Sequence, residues 1–362
     1  MSRRWVKVGL IAAVVLAAVG YFAKPYAEEW WLAREACGGA VPAEAVDELA
    51  PDDERLSSDY EYLSKEIGQY TCQLFYGDSR SRKGVTAVAY TNRDSQDLMM
   101  RRAVSRGTGL SVGGLPTGLP GFTSDNGALL LLRTCPDLGE DAEGRPRRML
   151  VRTTASGAAP EKSPDALLRT AVALTNRSSD ELGCGAEPLK APAHVLPAEP
   201  KPVPLSAAAN TPCAWLASAK LPKDAQWTLG VVGGDAAPLS RCELFRASGE
   251  ESTGPGRRQP TLVLNAWHGD WSEVAFGEAA RDRAHSEEDG WYTRPLLTAE
   301  WGRAKARCDG EAVNFEASSR EAPGIKGPQL RALLTAFAKD QTERRGCTDL
   351  ALPGRELPLP KR

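Results

Sequence analysis

Histidine is scarce in this chain: among 362 residues there are three, His194, His268 and His285. No Cys-x-x-Cys occurs, and no two cysteines lie closer than 29 positions. Structural zinc draws on closely spaced Cys and His, so these shortages argue against a zinc ribbon or finger. Triad-type catalysis needs a histidine within hydrogen-bond reach of its nucleophile, and residues 1–193 contain none. Basic excess is missing as well. Forty-five Lys and Arg against 47 Asp and Glu give a net charge of −2, which leaves no cationic face for nucleic acid. The stretch 106–127 is rich in glycine but lacks the Lys-Ser/Thr ending of a phosphate-cradling loop, so it reads as a long loop and no cofactor is expected.

What the chain does have is eight cysteines in two quartets. Cys37, Cys72, Cys135 and Cys184 are separated by 35, 63 and 49 positions, and Cys213, Cys242, Cys308 and Cys347 by 29, 66 and 39. The surroundings match too. Cys72-Gln73-Leu74-Phe75 faces Cys242-Glu243-Leu244-Phe245, and each quartet closes on Gly-Cys after an apolar stretch opened by proline, Pro164 in one and Pro328 in the other. In both stretches apolar residues recur near i, i+3, i+4 and i+7, Pro stands where a first helical turn tolerates it, and Gly stands where a helix ends. This predicts two equivalent amphipathic helices, with Leu167, Leu168, Ala171 and Val172 on the buried side of one and Leu330, Leu333, Leu334 and Phe337 on that of the other.

The pattern implies an α+β fold with a duplicated unit: a short N-terminal helix or turn, about four antiparallel strands and a C-terminal helix covering the sheet. Residues 25–185 form the expected first domain and 211–350 the second. Between them, 186–210 is a spacer with six prolines, and 351–362 is a tail. An even cysteine count behind an apolar leader reads as structural disulfides, two per unit. Sequence leaves the connectivity open; pairing of neighbours, first with second and third with fourth, closes the shortest loops, each worth about 3–4 kcal/mol.

From Val8 to Ala23 the chain carries no charge. The segment 8–24 is expected to be a retained transmembrane helix, because the candidate cleavage site around Ala18-Val19-Gly20 is poor and Trp30-Trp31 is an interface-type flank. With Arg3 and Arg4 in a cytosolic stub of residues 1–7, the positive-inside rule puts the remainder outside, a single-pass membrane protein with extracytoplasmic domains. In its Ala- and Val-rich anchor, its preference for arginine over lysine, and its Cys-x-Leu-Phe and Gly-Cys punctuation, the chain resembles single-pass envelope proteins common in actinobacteria such as streptomycetes. The resemblance implies a compartment and carries over no functional residue.

One short segment gathers ligand-type chemistry. Trp267-His268-Gly269-Asp270-Trp271 sets a His, an Asp and two Trp within five residues, either as a ligand platform or as two strands joined by a solvated turn over buried tryptophans. The second half also holds six of the nine tryptophans, a composition that suits either stacking on sugars or filling a core. Three functional classes follow. The leading one is a non-enzymatic envelope protein, anchored in the bilayer, that binds a protein or cell-wall polymer. The second is a wall-directed hydrolase using His268 and Asp270, and the third is a structural subunit of an envelope assembly.

Overall fold

A computed structural model describes residues 28–51, 54–77, 83–104, 113–115, 119–124, 127–156, 163–192, 202–223, 225–232, 237–246, 260–269, 272–273, 294–319 and 325–354. The expected transmembrane segment 8–24 lies outside them. Among the described residues, no helix is long and apolar enough to cross a membrane.

The chain packs as two compact units. The first comprises the described residues of Met1–Ala89, Cys135–Arg147 and Val151–Ala193; the second comprises those of Tyr90–Thr134, Arg148–Leu150 and His194–Arg362. Five helices are described: α1 over 28–39, α2 Ala43–Glu48, α3 Arg93–Val104, α4 Pro164–Glu181 and α5 Gly327–Arg345. The early strands are β1 Leu56–Ser64, β2 Gln69–Tyr76, β3 Lys83–Tyr90, β4 Gly113–Gly114, β5 Gly121–Thr123, β6 Leu129–Thr134 and β7 Arg148–Ala155, in the sheet order β1-β2-β3-β7-β6-β5-β4. The later ones are β8 Val203–Pro204, β9 Trp227–Val232, β10 Leu239–Arg246, β11 Leu262–His268, β12 Leu296–Leu297, β13 Trp301–Cys308, β14 Glu311–Ser319 and β15 Thr348–Ala351. Their order is β12-β13-β14-β11-β10-β9-β8, with β15 added beside β13.

The fold class differs from the α+β expectation of two repeats that each end in a helix. Among the described residues the protein is mostly antiparallel sheet with few helices, and these helices do not count out as one terminal helix per repeat. Helix α3 breaks the first strand series, and strand β15 follows α5, so the second series ends in a strand. The short strands went unread for a physical reason. Gly113-Gly114 and Val203-Pro204 carry neither the β-branched run nor the alternation that marks a strand, and they are fixed by pairing with β5 and β9.

The two helices read from the Pro-to-Cys stretches are present as α4 and α5, each with proline in its first turn. Leu167, Leu168, Ala171 and Val172 are buried on α4, and Leu330, Leu333, Leu334 and Phe337 on α5. Both close alike: Gly183 and Gly346 take left-handed φ of 68° and 64°, and the next residue's N–H returns to the last turn, Cys184 to Ser179 O and Cys347 to Thr342 O. The bridges are Cys37–Cys72, Cys135–Cys184, Cys213–Cys242 and Cys308–Cys347, neighbour with neighbour. The last joins the end of β13 to the residue after α5's glycine.

In the second unit, α5 covers one face of the eight-stranded sheet. Leu262, Leu264 and Ala266 of β11 point to it at the strand period of two, together with Leu244, Ala304, Phe315 and Ala317 from neighbouring strands. Gly302 lets the helix sit close, since a β-carbon there would lie 3.0 Å from Leu334 Cδ2 and 3.1 Å from Leu297 Cδ1. His268, two residues beyond Ala266, ends β11 on the same side, under the last turn of α5.

Candidate ligand cleft

A cleft of about 570 Å³ opens at this end of the second unit. His268 lines it from β11, held by its own N–H to Pro238 O at 2.9 Å and, through the next residue, by Gly269 N–H to Ala312 O at 2.9 Å. Arg344 and Arg345 reach it from the last turn of α5, where the negative end of the helix dipole favours cations. Arg133 comes from β6 and Arg148 from β7, while Asp309 comes from the turn between β13 and β14 and Glu311 from the start of β14. Thr134 adds a hydroxyl, and Pro120, Leu132 and Val313 add apolar wall.

Among the described residues, four arginines and two carboxylates line the cleft, and much of that charge is paired. Arg148 pairs with Glu311, and Arg344 with Asp340 at 2.8 Å. Arg345 donates from Nη2 to Ala237 O at 2.8 Å and to Ser240 Oγ at 3.3 Å, so its guanidinium is fixed against the β10 end.

His268 is the unusual member. It is only 9% exposed, and neither Nδ1 nor Nε2 has a hydrogen-bond partner among the described residues. Burial, and next the positive charge of Arg345, hold its pKa well below the ordinary imidazole value. The ring is therefore neutral at pH 7, with one N–H to give and one lone pair to receive. Buried polar groups left unmatched cost about 1–3 kcal/mol, and native proteins hold few of them.

The other residues singled out from the sequence fall differently. Trp267 is buried in the core, edge-on to Phe122 at 5.7 Å between ring centroids, and offers no open face. Asp270 and Trp271 lie outside the described residues. Of the remaining tryptophans of this half, Trp215 packs at 5.9 Å from Phe337, Trp227 donates to Pro222 O at 3.0 Å, Trp301 donates to Glu316 Oε1 at 2.6 Å, and Trp291 is outside the described residues. The described ones serve as packing with a satisfied indole N–H or as aromatic core, rather than as an exposed stacking row.

The sheet face turned away from α5 carries a second polar group. Arg241, Asn265, Glu316 and Arg303 stand opposite one another across four neighbouring strands, and all four are buried. Arg241 pairs with Glu243 at 2.5 Å, Arg303 donates to Asn314 Oδ1 at 2.7 Å, and Asn314 donates to Ser272 Oγ at 2.9 Å. Burial pushes the Arg303 pKa down to about 10 against the pull of Glu273 and Glu316. With two arginines against Glu243 and Glu316, the network balances its own charge and reads as an internal frame.

Sequence reasoning named His268 but missed its arginines. They come from β6, β7 and the end of α5, with no shared local motif, so only the fold brings them together. No group of three His, Cys, Asp or Glu suited to a metal ion occurs among the described residues, and no described cysteine is free. No family model matches the chain, and no curated protein or solved structure matches it.

Proposed function

We propose that this is a ligand-binding protein of the cell envelope: anchored in the bilayer by segment 8–24, with its disulfide-bonded units outside, it captures a protein or wall-polymer ligand in the His268 cleft. The observation that carries the reading is the buried imidazole with both nitrogens unmatched at the wall of a cleft of ligand size. Four disulfides are consistent with an extracytoplasmic location. The single-pass anchor and the outward orientation rest on the uncharged segment and on Arg3 and Arg4 before it. A binding role is favoured over hydrolysis because His268 has neither an orienting carboxylate nor a nucleophile on its ring among the described residues.

The test is site-specific photocrosslinking of the full chain in intact cells, with the photoreactive residue placed at Pro238 on the cleft wall and, as control, at Gln73 in the first unit. The reading expects a discrete adduct from position 238 that is absent from position 73. Equal labelling at both positions, or none at 238, would overturn it.

A further inference from the structure

Beyond ligand capture, we infer that the Cys308–Cys347 bridge is a site of thiol exchange: a dithiol reductant opens it while the other three bridges stay closed, and its opening loosens the end of α5 at the cleft. The first observation is access. Cys37, Cys72, Cys135, Cys184, Cys213 and Cys242 are all 0% exposed, so a thiol reaches their bridges only when the surrounding structure opens. Cys308 and Cys347 are partly exposed, and their neighbours Arg307, Asp309, Gly346 and Thr348 are exposed. Cys308 also lines the cleft, which gives a small thiol a way in. Exchange needs a thiolate to reach a bridge sulfur, so access decides which bridge reacts first. Cys184, like Cys347, follows a helix-ending glycine, and its bridge to Cys135 is the buried counterpart that serves as an internal comparison.

The second observation is what the bridge holds. The buried apolar side chains of α5 end at Ala338, and from Glu343 to Cys347 every residue is exposed or only partly buried. Strand β15, which follows, is four residues long and mostly exposed. Its pairing with β13 shifts register between Thr348 and Ala351, where Asp349 takes a left-handed φ of 56°. Once the bridge is open, this end rests on polar contacts such as those of Arg345 to Ala237 O and Ser240 Oγ, so local opening becomes easier while the apolar part of the helix stays seated. The chemistry balances with the dithiol as the reductant. One of its thiolates attacks a bridge sulfur, the Cys308–Cys347 bond breaks, and the freed cysteine leaves as a thiolate; the second thiol then displaces the other cysteine. The two cysteines gain two electrons and two protons, and the dithiol becomes a disulfide.

The experiment treats the oxidised full chain with dithiothreitol under native conditions, quenches with iodoacetamide at successive times, and maps the alkylated cysteines by mass spectrometry. We expect Cys308 and Cys347 to be alkylated at least about ten-fold faster than any of the other six. The chain with that bridge alone open, and the Cys308→Ser/Cys347→Ser variant without reductant, are then compared with the oxidised chain by hydrogen exchange. Residues 343–351 should exchange several-fold faster in both, and residues 330–338 should keep their protection. Opening of another bridge at the same rate, resistance of Cys308–Cys347 until all four open together, or unchanged exchange over 343–351 in the reduced chain would each overturn the inference. None of these readouts involves a ligand, so the inference stands or falls separately from the binding role.

Discussion

Replacing Leu334 by alanine probes how α5 is seated. Leu334 is fully buried, and its Cδ2 lies where Gly302 leaves room on β13. Deleting three carbons from such a site costs the lost transfer energy plus a cavity term, in all about 2–5 kcal/mol. The Cys308–Cys347 bridge ties this helix end to β13, so the helix has little freedom to collapse into the void, and we expect a loss clear of the low end of that range, about 3–4 kcal/mol. For a body of this size that lowers Tm by roughly 6–16 °C. Gly302→Ala, which pushes a methyl group against Leu334 and Leu297, should alone cost about 1–3 kcal/mol. In the Leu334→Ala background the same methyl enters the void, so the double variant should be more stable than the sum of the single losses by about 1 kcal/mol or more. The assay is calorimetric unfolding of the oxidised full chain, with exposed Arg331→Ala as a control expected to stay within about 0.5 kcal/mol. Strict additivity of the pair, or an Arg331 loss equal to that of Leu334, would refute this account of the helix–sheet contact.

Arg303→Ala removes one partner from the buried polar network and should destabilise by about 3–5 kcal/mol in urea unfolding, whereas Arg303→Met, which keeps the volume, should lose less. Changing Cys308 and Cys347 together to serine should cost about 3–4 kcal/mol, read from the denaturation midpoint against the oxidised wild type. Stability should also respond to pH through His268. Its folded pKa is depressed, so between that value and the ordinary 6.5 the unfolded chain binds more protons, and stability falls as pH drops through 6.5 toward the folded value, by up to about 1.4 kcal/mol per pH unit. Unfolding of His268→Gln across the same pH window should lack this component.

The features legible in the sequence were those enforced locally. Proline and glycine punctuation plus a period near 3.6 located α4 and α5, and strand-like composition located the strands carrying Cys72, Cys242 and Cys308 and the one that ends just before Cys135. The cysteine connectivity was left open by the sequence; of the possible sets, the one found is neighbour with neighbour. The fold class was not legible. Strands of two or three residues, such as Gly113–Gly114 and Leu296–Leu297, exist only because a longer neighbour pairs with them, and nothing in their own residues announces it. The site divides the same way. His268 drew attention as a rare residue, but what gives it chemistry is Arg345, 77 positions away in sequence, arriving at the same end of the sheet because α5 runs back across β11.

The most direct test of the site is the titration of the His268 ring itself, followed by NMR in the full chain and in Arg345→Gln. We expect wild-type His268 to titrate well below the ordinary imidazole range, and Arg345→Gln to move it upward by removing the neighbouring charge while the burial remains. A wild-type value near 6.5, unmoved by Arg345→Gln, would place the ring in solvent away from the arginine and contradict the cleft on which the binding function rests.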